Sequence, residues 1–204
     1  VKLDEFHNKI ANLKFLDPAC GSGNFLLIAY RELRRLEHEI IREKLKQKTL
    51  LPLSELIKVE ATQFYGIEIV PYAVSISRLG LWLMDHLMNT EAGNEFGQYF
   101  VGLPLHAGGN IYCGDALAAD WIHCFDESQG DVDFAKTDKF DFILGNPPFI
   151  GNSVMSAEQK NSLIAITGKY TKSRKLDFVA GWYFKTAELF AKLPDLQVAL
   201  VSTN

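Results

Sequence analysis

Five short apolar runs punctuate this chain, each with strand-forming composition and each stopping at a turn: Lys14 to Asp17, Gln63 to Glu68, Asn110 to Cys113, Phe140 to Leu144, and Leu196 to Val201. Between them lie stretches with apolar residues near a 3.6-residue period, chiefly Asn24 to Lys46, Pro71 to about Met88, and Leu176 to Leu193. Strands alternating with helices predict an α/β domain, a mostly parallel sheet covered by helices on both faces. The 204 residues suffice for one domain with a full core. Such a sheet takes ligands beyond the carboxyl ends of its strands, so the residues there carry the functional argument.

The same periodicity predicts a core. It draws Phe25, Ile28, Leu33, Leu36, Ile40 and Ile41 from the first helix, and Val74, Leu79, Leu81, Leu83 and Leu87 from the second. The third supplies Val179, Trp182, Tyr183, Ala187 and Phe190, with Tyr65 and Trp82 also inward. The mixed charges from Arg31 to Glu43, Arg34 and Glu37 included, read as a solvated helix face. A short helix is expected over Ser54 to Val59. Glu91 to Gly109 reads as loop, Asp126 to Asp138 as an acidic surface excursion, and Gly151 to Lys175 as a polar stretch.

Three strand ends carry acids. Asp17-x-x-x-Gly21-x-Gly23 joins the first strand to the long helix. Its glycines let the backbone turn tightly and approach a ligand closely. A dinucleotide site would want G-x-G-x-x-G, but the third position is Leu26. Asp17 instead suits a positively charged ligand. Glu68 ends the second strand, where an acid can accept both hydroxyls of a ribose. Asp115 follows the third and could accept from an exocyclic amine. The fourth run leads into Asn146-Pro147-Pro148-Phe149, where two prolines stop the ladder. They leave an amide, a rigid carbonyl and a ring together. That set suits a flat group bearing an amine; the alternative is a Pro-Pro turn with a core phenylalanine.

Asp17-Pro18-Ala19-Cys20-Gly21-Ser22-Gly23-Asn24-Phe25-Leu26 together with Asn146-Pro147-Pro148-Phe149 resembles the amino-methylating DNA methyltransferases that use S-adenosylmethionine. Motif order resembles the gamma class of N6-adenine enzymes, and Leu176 to Trp182 resembles the large fused restriction–modification proteins. The resemblance implies a Rossmann-like class I methyltransferase fold spanning 1–204. It assigns Asp17, Pro18, Ala19, Gly21, Gly23, Asn24 and Phe25 to the cofactor. Glu68 with Ile69 would take its ribose, and Asp115 with Ala116 its adenine. Asn146, Pro147, Pro148 and Phe149 would hold a flipped adenine of duplex DNA, Asn146 also bordering the cofactor. Acceptance of the same chemistry by a protein glutamine amide or an RNA amine, or an inactive methyltransferase-like scaffold, stays open.

The chain is expected to be an excerpt of a longer restriction–modification protein, since no target-recognition domain fits between the motifs. Recognition domains, and a nuclease domain if one is fused, would lie elsewhere, which accommodates the net charge of −4. The basic run of Lys169, Lys172, Arg174 and Lys175 could meet DNA phosphates or be a solvated loop. No run is long enough to span a bilayer. The three cysteines and five histidines show no metal-ligand spacing, and a reducing cytoplasmic setting, with no metal, is expected. Cys20 reads as a small filler.

Overall fold

All five strands pair in parallel, in the sheet order Asn110–Cys113, Phe64–Glu68, Phe15–Asp17, Phe142–Gly145 and Gln197–Leu200. The computed structural model describes residues 2–46, 52–97, 109–126, 129, 134–170 and 175–202. Along the chain come α1 (Lys2–Ala11), β1 (Phe15–Asp17), α2 (Asn24–Lys46), α3 (Leu53–Leu56), β2 (Phe64–Glu68) and α4 (Pro71–Phe96). They are followed by β3 (Asn110–Cys113), β4 (Phe142–Gly145), α5 (Ala157–Thr167), α6 (Ala180–Phe190) and β5 (Gln197–Leu200).

Alternation along the strands divides the core into two layers. Phe15 and Phe64 face α1, α2 and α4, among Ile10, Tyr30, Val74 and Leu81. There Phe15 stacks on Phe64 at 4.8 Å and on Phe142 at 5.1 Å, a ladder of rings across three strands. Leu16 and Tyr65 face the opposite layer, with Trp121, Phe125, Leu163 and Trp182.

The helices depart from expectation in instructive ways. α1 and α5 were not anticipated. α5 begins at a capping box in which the Gln159 amide donates to the Ser156 hydroxyl and the Ser156 amide to the Gln159 side chain. α4 runs past Met88 to Phe96 and stops at Gly97, whose φ of 69° suits a left-handed cap. The expected loop therefore begins later, and 98–108 lie outside the described residues. In place of the expected helix over Ser54 to Val59 there are α3 and a 3-10 turn at Ala61–Gln63.

The predicted core is corrected on each helix. On α4, Val74 and Leu81 are buried, while Leu79, Leu83 and Leu87 are exposed, Leu79 by 63%. This helix is apolar on two sides and only one meets the sheet. On α2 the buried apolar face is Leu26, Tyr30, Leu33, Ile40 and Ile41; Phe25, Ile28 and Leu36 are exposed. Tyr183 and Phe190 on α6 are exposed, and Trp82 is half-buried against His86. In the acidic segment, Phe134 is buried, and Gln129 brackets Cys113, accepting its N–H (2.8 Å) and donating to its C=O (2.9 Å).

Two charges expected in solvent are inside. Arg34 donates to the Tyr30 hydroxyl and to the Asn89 carbonyl, both at 2.8 Å, and Tyr30 in turn donates to Asp85. Glu37 is fully buried and accepts from the amides of Lys58 (2.7 Å) and Val59 (2.9 Å) and from His7 Nε2 (2.9 Å). Lys44 Nζ donates to His7 Nδ1, so Nε2 carries the ring proton given to Glu37. One carboxylate thus fastens α1 and the approach to β2 onto α2. Replacing it would strand two amides and the His7 ring proton in the interior and remove the carboxylate that lies 3.3 Å from Arg34 Nε. We expect Glu37→Ala to lower unfolding free energy by about 3–5 kcal/mol, measured by denaturant titration.

Candidate functional site

β1 stays paired with β2 as far as Asp17 and Gly66, but with β4 only as far as Leu16 and Ile143. Chain order also reverses between β1 and β4, so a crevice opens at the switch point. Asp17 sits in it, 1% exposed. Its Oδ1 accepts from the Ala19 amide at 3.0 Å, while the buried Oδ2 has no hydrogen-bond partner. Burial pushes this carboxyl up to about 7, against the Ala19 hydrogen bond, with the charge of Glu68 adding to the rise. A Cβ on Gly145 would lie 2.5 Å from Asp17 Oδ1, so β4 must end on glycine beside this acid.

The turn after Asp17 is laid onto the end of β2. The Cys20 amide donates to the Ile67 carbonyl (3.1 Å) and the Gly21 amide to Glu68 Oε2 (3.0 Å). Gly21 and Gly23 have φ of 55° and 84°, and a Cβ on Gly23 would strike Ser77 Oγ of α4 at 2.4 Å. Cys20 is a buried filler: a Cβ on Gly66 would lie 2.7 Å from its sulfur, and burial pushes its thiol far up. Glu68 Oε1 accepts from the Val70 amide (2.8 Å), and Asp115 Oδ1 from that of Leu117 (2.8 Å). Carboxylate oxygens have lone pairs beyond these bonds.

A cavity of about 560 Å³ lies over these strand ends. Of the anticipated residues, Pro18, Ala19, Glu68, Ile69, Asp115, Ala116, Asn146 and Pro148 line it. Asp17, Gly21, Gly23, Asn24, Phe25, Pro147 and Phe149 are not on its wall. Asp17 and Pro147 are buried, whereas Asn24 and Phe25 are exposed and Phe149 presents its ring 41% exposed. Of the four cations considered for DNA, Lys169 pairs with Glu188 at 3.1 Å and Lys175 is exposed; Lys172 and Arg174 lie outside the described residues. A larger cleft of about 830 Å³ opens near Lys14, Lys139 and Lys192, at the amino ends of the strands and away from these acids.

The opposite wall was missed from sequence. It comprises Ser156, Glu158, Gln159 and Ser162 of the α5 region, with Ile150 and Phe178. The signal for α5 was Ser156-x-x-Gln159, hidden in a stretch whose polar composition reads as loop. Trp182, expected in the core, is buried there and also reaches the cavity, its Nε1–H donating to the Pro18 carbonyl at 3.0 Å.

The family model for the MmeI DNA-methyltransferase domain matches residues 1–204. The chain belongs to this family. It is 38% identical over its whole length to DNA methyltransferase A of Bacillus subtilis, and 27% identical over 177 residues to the type II restriction enzyme and methyltransferase Eco57I of Escherichia coli. Its fold superposes on the solved type IIL restriction–modification enzyme MmeI in complex with DNA, with a TM-score of 0.86 and 40% identity over 99% of the chain. The parallel sheet is thus of the Rossmann-like methyltransferase type. The chain spans 22% of the Bacillus subtilis protein and 26% of the MmeI chain.

The residues present fit a sulfonium cofactor. A buried carboxylate oxygen lacks a partner beside a cavity lined by three further acids, Glu68, Asp115 and Glu158, and a positive charge would complete it. Two outcomes follow. Gly145→Ala forces Asp17 aside, and cofactor affinity measured by calorimetry should fall at least about tenfold. In the ligand-free protein, folded Asp17 holds its proton up to about pH 7 but the unfolded chain releases it near 3.8. Its contribution to stability is full below the unfolded value and lost as pH rises toward about 7. Asp17→Asn, which cannot ionise, should flatten this fall in thermal melts across that window.

Proposed function

We propose that this domain transfers a methyl group from S-adenosylmethionine to the N6 amino group of an adenine flipped out of duplex DNA, as the catalytic part of a restriction–modification protein. The observation that carries this reading is the sharing of one cavity by Asn146 and Pro148 with Glu68 and Asp115. Membership of a DNA-methyltransferase family supports it. So do the relatives named as restriction–modification enzymes. DNA-reading parts would belong to other regions of a longer polypeptide, of which this chain is a fraction.

S-adenosylmethionine, when bound, supplies an electrophilic methyl group on a positively charged sulfur. Asp17 answers positive charge on it, Glu68 accepts from ribose hydroxyls, and Asp115 accepts from the cofactor's adenine amine. An adenine amino group is a poor nucleophile because its lone pair is delocalised into the ring. The Asn146 side-chain oxygen and the Pro147 carbonyl accept its two hydrogens and favour a more tetrahedral nitrogen. The prolines fix that carbonyl's direction. The exposed Phe149 ring stacks on the extruded base, an interaction of roughly 1–3 kcal/mol. Cys20, inside the glycine turn, is not a nucleophile: it is buried, and burial pushes its thiol far up.

The test is methyl transfer from labelled S-adenosylmethionine to duplex DNA by the full-length protein, followed by digestion to nucleosides. Label is expected in N6-methyl-2′-deoxyadenosine. Asn146→Ala should lower the rate by at least about 10²-fold, with cofactor affinity within a few-fold of wild type. Label on cytosine, RNA or a protein amide would overturn the assignment.

A further inference from the structure

The segment Asp177 to Lys185 touches three of the loops at the strand ends, those after β1, β3 and β4. Asp177 Oδ1 accepts from the amide of Ile150, the residue after Phe149, at 3.2 Å, and from that of Val179 at 3.2 Å. The Phe178 amide donates to the Ile150 carbonyl at 3.0 Å, so both backbone groups of Ile150 are held by adjacent residues of one segment. One helical turn on, Trp182 donates to the carbonyl of Pro18, the residue after Asp17. A further turn on, Lys185 Nζ donates to the carbonyls of Leu117 (3.1 Å) and Ala119, just past Asp115. Gly181 lets α6 approach that last loop, since a Cβ there would lie 2.8 Å from a Leu117 methyl.

These bonds are spaced along one rigid helix and its entry, and they end next to Asp17, Asp115 and Phe149. Loops joined only through the sheet could shift relative to one another without breaking a strand pairing. Loops indexed to one helix cannot. A bimolecular transfer depends on the distance between its two reactants, and about 1 Å of misplacement can cost about 10²-fold in rate.

We propose that Asp177 and Trp182 are positioning residues, with Asp177 setting the Asn146–Phe149 turn and Trp182 the glycine turn, so that α6 fixes the separation of target base and cofactor. The inference rests on the proposed methyl transfer. Two effects should then separate. Loss of the Asp177 acceptor misplaces the turn that holds the base and leaves the cofactor side intact. Loss of the Trp182 donor loosens the cofactor turn.

The experiment uses the full-length protein, with single-turnover methyl transfer to duplex DNA and S-adenosylmethionine affinity by calorimetry measured separately. Asp177→Ala should slow transfer about 10²-fold with cofactor Kd within about twofold of wild type. Asp177→Asn keeps one acceptor oxygen and should restore the rate to within about fivefold. Trp182→Phe should raise cofactor Kd about tenfold and slow saturated transfer less than Asp177→Ala does. The inference is overturned if Asp177→Ala leaves the rate unchanged, if Asp177→Asn is as slow as Asp177→Ala, or if both sites change rate and affinity in the same proportion. A wild-type protein that methylates no DNA overturns the function and this inference together, an outcome distinct from active wild type with unaltered variants.

Discussion

The carboxyl of Asp17 is enclosed where β1 and β4 part company, with one oxygen bonded to a backbone amide and the other bonded to nothing. Holding a carboxylate there is unfavourable, and much of the surrounding sequence accommodates it. Gly145 has no side chain because the acid occupies that space, and the glycine turn folds back so that the Ala19 amide reaches it. Glu68 lies close enough to raise its proton affinity further. The domain thus stores an unmet electrostatic demand in the crevice at the switch point, one that a cationic ligand would relieve.

The two faces of the sheet are stabilised differently. Beneath α2 and α4 the hydrophobic layer is crossed by a polar network in which Arg34 and Glu37 reach Tyr30, Asn89, His7 and the amides before β2. The face under α5 and α6 is mostly aromatic and aliphatic, and its polar bonds run instead to the loops around the cavity. Structural polarity is thus kept away from the crevice, while the polar bonds of the second face serve it.

Strand positions and strand ends were legible in the sequence because a buried parallel strand must be a short apolar run and its ligand-facing end must not be. The third strand has its expected limits, and the others differ by one or two residues. Helix faces were less legible. α4 is apolar on both sides, so periodicity could not say which side meets the sheet, and Leu79, Leu83 and Leu87 proved to be on the outer one. Arg34 and Glu37 look like surface charges because their partners, His7, Asp85 and Asn89, are remote in sequence. The wall formed by Ser156, Gln159 and Ser162 was obscured by composition. A two-residue capping signal carries little weight in a window dominated by Ser, Lys and Asn.

The side-chain amide of Gln129 has a consequence for how the sheet can be extended. β3 is an edge strand, and an edge offers unpaired peptide groups to any passing strand. At Cys113 both groups are taken by Gln129, which imitates one peptide unit of a neighbouring strand without continuing as one. A strand approaching from that side meets an edge already satisfied at its ligand end. At the β5 edge the Tyr183 hydroxyl donates to the Leu200 carbonyl at 3.0 Å. Both edges of the sheet are therefore blunted on the cavity side, and a strand added to either would first have to displace a side chain, Gln129 at β3 or Tyr183 at β5.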